Sequence, residues 1–295
     1  MILGDGTMEA ILYEQLENNM VKCLVCNHYC IIAPNKRGIC AVRENQKGRL
    51  IALNYNKAIA TSIDPIEKKP LNEFLPNTYT YSFATVGCNM NCSWCQNFDI
   101  SQNPKPNKKI IGKEVTSEEH VRNAIKYNCP SISYTYSEPT IFVEYALDTM
   151  KLAHKHNLKN IWVSNGYMST ETLELILPYL DAVNIDYKGS NEVYKKYCGG
   201  SNIKVLENLS RMKKAGVHIE VTTLLIPKVN ESNEQVEEIA RDLIKYLGRD
   251  FVWHITRFFP NYKMKDHPIT KREALINAKR IGNNLGIKKI YLGNI

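Results

Sequence analysis

From residue 79 onward, short runs of β-branched and aromatic residues alternate with longer stretches whose apolar positions recur at helical spacing. The runs at 79–85, 131–136, 160–164, 182–186, 218–226 and 251–257 predict strands, and 289–292 a seventh. The stretches between them predict helices. Thr116 with Glu119, Ser232 with Gln235 and Thr270 with Glu273 have capping-box spacing, in which two side chains satisfy orphan amides at a helix start. Gly216, Gly248 and Gly286 fall just past helix ends, where a left-handed residue is wanted. Strand, helix, strand, repeated six times, predicts a parallel sheet with crossover helices. An open sheet and a barrel share that periodicity.

Residues 1–78 read differently. The pattern predicts a short helix at 8–18, a Cys-rich knuckle at 23–40 and hairpin-like runs at 49–60. The polar stretch Asp64-Pro65-Ile66-Glu67-Lys68-Lys69-Pro70 follows. We therefore expect a small N-terminal Cys-rich accessory module over 1–78 and a main domain over 79–295. The length of 295 residues agrees with two units at roughly 150 residues per domain as a prior. A hydrophobic fraction of 44% with 23% charged residues excludes collagen-like and broadly disordered chains. The start, Met1-Ile2-Leu3-Gly4-Asp5-Gly6-Thr7, has no basic segment or long apolar run, and no stretch of about eighteen apolar residues occurs. The expectation is a soluble, cytoplasmic protein without a membrane-spanning helix. The formal charge of +8 permits an anionic partner. Its basic residues are dispersed, however, and the stretches 105–113 and 263–272 read as solvated surface, which argues against nucleic-acid binding.

Seven of the nine cysteines fall in two tight clusters. Without a secretory signal, such clustering favours metal binding over disulfides. The more informative cluster is Gly87-Cys88-Asn89-Met90-Asn91-Cys92-Ser93-Trp94-Cys95, directly after the first predicted strand of the main domain. Three thiols at spacings of three and two intervening residues can converge on one side of a loop. They satisfy three irons of a cubane cluster and leave the fourth open to a substrate or cofactor. Electron-transfer ferredoxins supply four cysteines, and no fourth lies nearby in the sequence. A three-Cys zinc site and chance spacing are the bland alternatives.

At these residues the sequence resembles the radical S-adenosylmethionine (radical SAM) superfamily, whose motif has this spacing with an aromatic before the last cysteine, here Trp94. The resemblance implies an α/β fold, a partial (β/α)6 TIM-type barrel, with functional groups at the C-terminal ends of successive strands. It implies that Cys88, Cys92 and Cys95 bind a [4Fe-4S] cluster whose open iron is chelated by S-adenosylmethionine. Tyr136-Ser137-Glu138-Pro139 stands where the superfamily has Gly-Gly-Glu-Pro, so Glu138 is expected to meet the methionine amino group although both glycines are replaced. Ser164-Asn165-Gly166 and Asn184-Ile185-Asp186-Tyr187-Lys188 resemble segments of pyruvate formate-lyase activating enzymes. In the first, Val163 replaces an Asp. Trp94, Glu138, Asn165, Asp186 and Lys188 are thus the expected cofactor-site residues. His254 and Arg257, near the last strand's end, are further candidates, and His254 reads equally as a satisfied core residue.

A closer resemblance covers nearly the whole chain. Cys23-Leu24-Val25-Cys26-Asn27-His28-Tyr29-Cys30, Arg37-Gly38-Ile39-Cys40, Trp253-His254-Ile255-Thr256-Arg257-Phe258 and Tyr291-Leu292-Gly293-Asn294 look like the AmmeMemoRadiSam-system radical SAM proteins, homologues of pyruvate formate-lyase activating enzyme. This implies an activating-enzyme-like oxidoreductase that abstracts hydrogen from a substrate, a glycyl backbone on a partner protein being one class. It also implies a reducing donor such as flavodoxin or ferredoxin. Radical SAM tRNA modification is the alternative within enzymes, and a non-catalytic iron–sulfur or zinc module the alternative outside them. Cys23, Cys26, Cys30 and Cys40 suit structural zinc (Zn2+) in a module too small for a rich core. A second iron–sulfur cluster, reduced thiols without metal, or disulfides are the other readings. Cys129 and Cys198 read as packing residues, with a place near the substrate face as the second reading of Cys198.

Overall fold

A computed structural model of the chain describes residues 7–107 and 109–295. Met1–Gly6, scanned above for a leader, and Lys108, in the first basic stretch, lie outside the described residues. The main element is an eight-stranded sheet whose spatial order follows the chain. It begins with β1 (Ala60–Pro65), antiparallel to β2 (Tyr79–Ala84). Parallel strands β3 (Ser131–Tyr134), β4 (Lys159–Ser164), β5 (Ala182–Asp186), β6 (His218–Leu225), β7 (Val252–Arg257) and β8 (Lys289–Gly293) follow in turn. A helix stands between each pair from β2 onward: α1 (Ser117–Lys126), α2 (Val143–Lys155), α3 (Thr170–Ile176), α4 (Asn202–Lys214), α5 (Asn233–Leu247) and α6 (Arg272–Asn284). The expected α/β fold is thus borne out: six β/α units and a further parallel strand, with the two sheet edges unpaired to each other.

Parity along the strands separates two faces. Trp162, Val183, Val221, Trp253 and Ile255 join the large core that includes Val121, Met150, Leu206 and Leu243 of the helices. The opposite face, the lumen, is polar. Thr80 Oγ1 meets Ser133 Oγ at 2.8 Å, and Thr222 Oγ1 donates to Asn184 Oδ1 at 2.8 Å. Residues after β1 fill its lower part. Ile66 and Leu71 pack on Ile161 and Ala182, and Glu220 accepts from the amides of Asn72 (3.0 Å) and Glu73 (2.8 Å). Glu73 in turn receives Lys289 Nζ at 3.1 Å and the Tyr291 hydroxyl from β8. This segment therefore reaches from β1 to the far edge of the sheet. The boundary expected at residue 78 falls just after this segment, although β1 pairs with β2 and Ile66, Leu71, Asn72 and Glu73 pack on or bond to the barrel strands.

The capping boxes at Thr116 and Ser232 form as predicted. Thr270 does not cap: its hydroxyl donates to Leu225 O and accepts from Phe258 N, and the helix begins two residues later at Arg272. The helix predicted at 8–18 is also absent. Met8 and Glu9 pair with Ala52 and Ile51, and Tyr13–Gln15 pairs with Val21–Cys23. Short antiparallel ladders satisfy the backbone in a layer too thin to seat a helix, and pairing overrides the local pattern. Of the run expected as hairpin-like at 49–60, Arg49–Ala52 pairs back with Arg43–Gln46, whereas Lys57–Ala58 pairs with Lys113–Glu114 and Ala60 opens β1.

The N-terminal ladders are joined to the barrel by a buried ion pair. Arg43 donates to Glu144 Oε1 at 2.9 Å and Oε2 at 2.5 Å, and both side chains are 1% exposed. Glu144 lies in the first turn of α2 and also accepts from Ile11 N at 3.2 Å. Glu144→Ala strands the guanidinium and is expected to cost about 3–5 kcal/mol, whereas Arg43→Met with Glu144→Leu recovers most of it. Denaturant unfolding of the three chains measures this. Glu220 sets a second expectation. Burial opposes its charge, yet His218, His254 and the two amides hold its carboxyl down to about 2. Its stabilisation is therefore complete above the ordinary carboxylate value near 4.5 and is lost as pH falls through about 2. Glu220→Gln should remove that acid limb from a plot of stability against pH.

Candidate functional site

The loop after β2 carries Cys88, Cys92 and Cys95 to the C-terminal edge of the parallel sheet, where the ends of β3, β4 and β5 converge on it. Gly87 opens the loop at φ +104°, and a Cβ there would stand 2.7 Å from Val42 Cγ1 and 3.1 Å from Cys40 O. A side chain is therefore excluded by conformation and by space. Met90 N donates to Cys88 Sγ at 3.3 Å, and Cys95 Sγ meets Ser101 Oγ at 3.2 Å. The three thiols interact electrostatically through Cys92. Burial pushes Cys88 and Cys95 up.

Glu138, in the turn after β3, is buried and accepts four hydrogen bonds. Its Oε1 accepts from Thr140 N (3.1 Å), Thr140 Oγ1 (2.6 Å) and Ser164 Oγ (2.7 Å), and its Oε2 from Asn165 N (2.8 Å). Burial raises its pKa, and these four donors oppose the rise. Asn165 then reaches the cysteine loop: Nδ2 donates to Asn89 Oδ1 at 2.8 Å and approaches Cys88 Sγ at 3.8 Å. Glu138 and Asn165 thus come together as one brace between β3, β4 and the loop. Tyr136, standing where the family pattern has glycine, adopts φ +61°. That region strains a side chain, and here the side chain itself holds it. The Tyr136 hydroxyl donates to Asp64, Lys69 Nζ lies 4.4 Å from the ring centroid, and Asn97 Nδ2 donates to Tyr136 O at 2.7 Å.

At the end of β5, Lys188 Nζ donates to Asp186 Oδ2 at 3.0 Å. The lysine is buried while Asp186 is half exposed, so this is an ion pair sunk at one end rather than a surface contact. Burial works against the ammonium, but Asp186, Cys92 and Cys198 raise its pKa well above the ordinary value. Trp94 is buried, 5.9 Å from Tyr197 between ring centroids. The outlying candidates are otherwise engaged. His254 Nε2 meets Glu220 Oε2 at 2.6 Å inside the lumen, and Arg257 Nε donates to Thr270 O at 2.7 Å.

One site residue escaped the sequence reading and another was only partly anticipated. Cys198, read first as packing and second as lying near the substrate face, stands beside Cys92 and holds the Cys92 thiol below its usual range, while burial pushes Cys198 up. The same segment pairs with the loop, since Asn91 N donates to Cys198 O at 2.8 Å and Ser93 N to Tyr197 O at 3.0 Å. A fourth thiol is therefore near in space though not in sequence. The following Gly199-Gly200 was its only local signal. Lys105, read as solvated, is half-buried and donates to Met90 O and Gln102 Oε1, both at 2.8 Å. Burial lowers its pKa, against the pull of the Cys88, Cys92 and Cys95 thiols. Its place ten residues after Cys95 gave no hint of this.

Among the described residues no three His, Cys, Asp or Glu side chains already stand at ligand geometry. The fit to an iron–sulfur cluster rests on the donors and their surroundings. Three soft thiols share one loop, an amide points at Cys88, and two lysines offset thiolate charge.

Comparison with known proteins covers the segment that carries these residues. The Radical SAM superfamily model matches residues 83–243. The uncharacterized protein MJ0808 of Methanocaldococcus jannaschii is 43% identical over 287 residues, 97% of this chain and 85% of that protein. The (2S)-3-sulfopropanediol dehydratase activating enzyme of Klebsiella oxytoca is 27% identical over 147 residues, 48% of this chain and 46% of that enzyme. In fold, a radical SAM methyltransferase from Sphaerobacter thermophilus superposes with a TM-score of 0.56 at 16% identity, over 74% of this chain and 67% of that one. The matched segment runs from the end of β2 into α5 and contains every cysteine of the loop together with Glu138, Asn165, Asp186 and Lys188, and the chain belongs to the radical SAM superfamily of enzymes.

Proposed function

We propose that Cys88, Cys92 and Cys95 hold a [4Fe-4S] cluster beside bound S-adenosylmethionine, and that the chain uses the pair to abstract hydrogen from a substrate. When bound and reduced, the cluster supplies one electron to the sulfonium, whose C–S bond breaks to give methionine and an adenosyl radical that takes the hydrogen atom. The observation that carries this reading is the joint placement of three thiols, Glu138, Asn165 and the Asp186–Lys188 pair at consecutive strand ends. Glu138 and Asn165 fix the loop. Lys188 and Lys105 balance the negative charge of three thiolates. Oε2 of Glu138, with a single protein donor, is the oxygen left to receive an ammonium. Asp186, half exposed, is the group placed to meet a ribose hydroxyl or a second charged end of the cofactor. Trp94 backs the loop from the buried side. The likeness to an activating enzyme favours a glycyl backbone of a partner protein as substrate, with the electron delivered by a flavodoxin or ferredoxin.

The test is anaerobic reconstitution with iron and sulfide, reduction by dithionite and addition of S-adenosylmethionine. The expected outcome is 5′-deoxyadenosine from the native chain and none from Cys92→Ala. An intact cluster that yields no cleavage product sinks the reading. Cys198→Ala decides between three and four thiol ligands: iron content should stay at the native level, because Cys198 positions Cys92 without binding iron. Asn165→Ala removes the brace on Asn89. It should retain the cluster while lowering cleavage by roughly 10–100-fold, the usual loss for an outer-shell partner.

A further inference from the structure

The N-terminal thiols have no task in that chemistry, yet the fold gathers them. Cys23, Cys26, Cys30 and Cys40 line one cavity with His28 and Arg43. Each of the four interacts electrostatically with the other three. The free volume at the centre is about 10 Å³, room for a single water-sized occupant. The four cysteines line that space, and their side chains do not yet stand at ligand geometry.

The surroundings suit thiolates better than thiols. The backbone amides of Val25, His28 and Ile39 stand beside the sulfurs of Cys23, Cys26 and Cys30, and a backbone N–H binds a sulfur more strongly when that sulfur is negative. Arg43 adds an orphan. Its terminal nitrogens are taken by Glu144 and Ile141 O, while its buried Nε finds no acceptor. A neutral thiol is a poor acceptor, and a metal-bound sulfur is a good one.

We propose that Cys23, Cys26, Cys30 and Cys40 bind one Zn2+ in a tetrahedral, all-thiolate centre that braces the cluster-bearing loop. Binding forms four Zn–S bonds and releases four thiol protons, with no change of oxidation state. The brace is direct. His28 Nε2 meets Asn89 O at 2.8 Å, the Cys40 carbonyl lies against Gly87, and Cys26 pairs across to Met168. Asn27 N donates to Tyr167 O at 3.2 Å, and Asn27 Nδ2 donates to Met168 O at 2.5 Å. The knuckle thus touches both the cysteine loop and the turn after Asn165.

The experiment uses the full chain with Cys88, Cys92 and Cys95 all changed to Ala, so that its metal content is independent of the radical reading. Elemental analysis should find about one zinc per chain and no iron. Adding Cys23→Ser and Cys40→Ser should abolish the zinc. Because those changes can also impair folding, the chelator-stripped triple variant is titrated with Co2+, which should give the intense visible bands of tetrahedral thiolate ligation. Iron with sulfide in place of zinc, or a folded triple variant that takes up neither zinc nor Co2+, overturns the proposal. For the brace, stripping zinc from the otherwise native chain should raise amide exchange in residues 87–95. Unchanged exchange there overturns that part.

Discussion

The buried Arg43–Glu144 pair is the contact on which the arrangement of the site depends. Two opposite charges removed from water are tolerable only at close, multiply bonded range, and here two nitrogens meet two carboxylate oxygens. The pair joins the N-terminal hairpin to the first turn of α2. That turn follows directly from Pro139–Phe142, whose cap is Glu138. The residue that ties β3 to β4 and the residue that seats the N-terminal module are therefore six positions apart on one continuous run. Sliding the module would move Cys40 off Gly87 and His28 off Asn89, and so would release the loop that carries Cys88.

Charge inside the site is dense, and its balance explains the choice of residues. The proposed ligation would set three thiolates beside Glu138, and Lys105 and Lys188 are nearby cations among the described residues. Both lysines point at the loop from segments with other duties: Lys105 fastens the chain beyond the cysteines to Met90, and Lys188 closes β5. Fixed cations of this kind cost no reorganisation when the charge on the sulfurs changes, which is the condition for electrostatic preorganisation. Glu138 works differently. With four donors on a buried carboxylate, it acts as a rigid node first and as an acceptor second.

How much of this was legible in the sequence follows from the range over which each feature is encoded. The parallel strands and two of the capping boxes are local patterns, and they appear where periodicity placed them. The three cysteines of the loop are equally local. Thr270 was misread because its hydroxyl is claimed by Leu225 O from β6, a partner 45 residues away. The segment at 8–18 looked helical because its apolar positions suit either period, and only pairing with Ala52, Ile51 and Val21–Cys23 decides for strand. Cys198 and Lys105 belong to the site through contacts with Cys92 and Met90 that no spacing rule reports. Tyr136 is the most instructive case. Its sequence departs from the glycine expected there, yet the backbone keeps the left-handed conformation, held by Asp64 and Lys69 from one segment and Asn97 from another.

Those same contacts bear on where a substrate can approach. Asp64 lies in the lumen, where Lys69 Nζ meets it at 2.6 Å and Lys68 Nζ at 2.8 Å. Although burial opposes it, these lysines and Tyr136 hold its carboxyl well below the ordinary value. Asp64, Ile66 and Lys69 of the polar stretch thus form a buried anchor that starts the lumen filling, which continues through Leu71 to Glu73 and ends on Lys289 and Tyr291. It occupies the side of the sheet where β4 and β5 begin. The C-terminal edge, with the cysteine loop, Glu138, Asn165 and Asp186, is the side left for chemistry. One segment therefore does two jobs, supporting Tyr136 from below and confining the reaction to the opposite end of the strands.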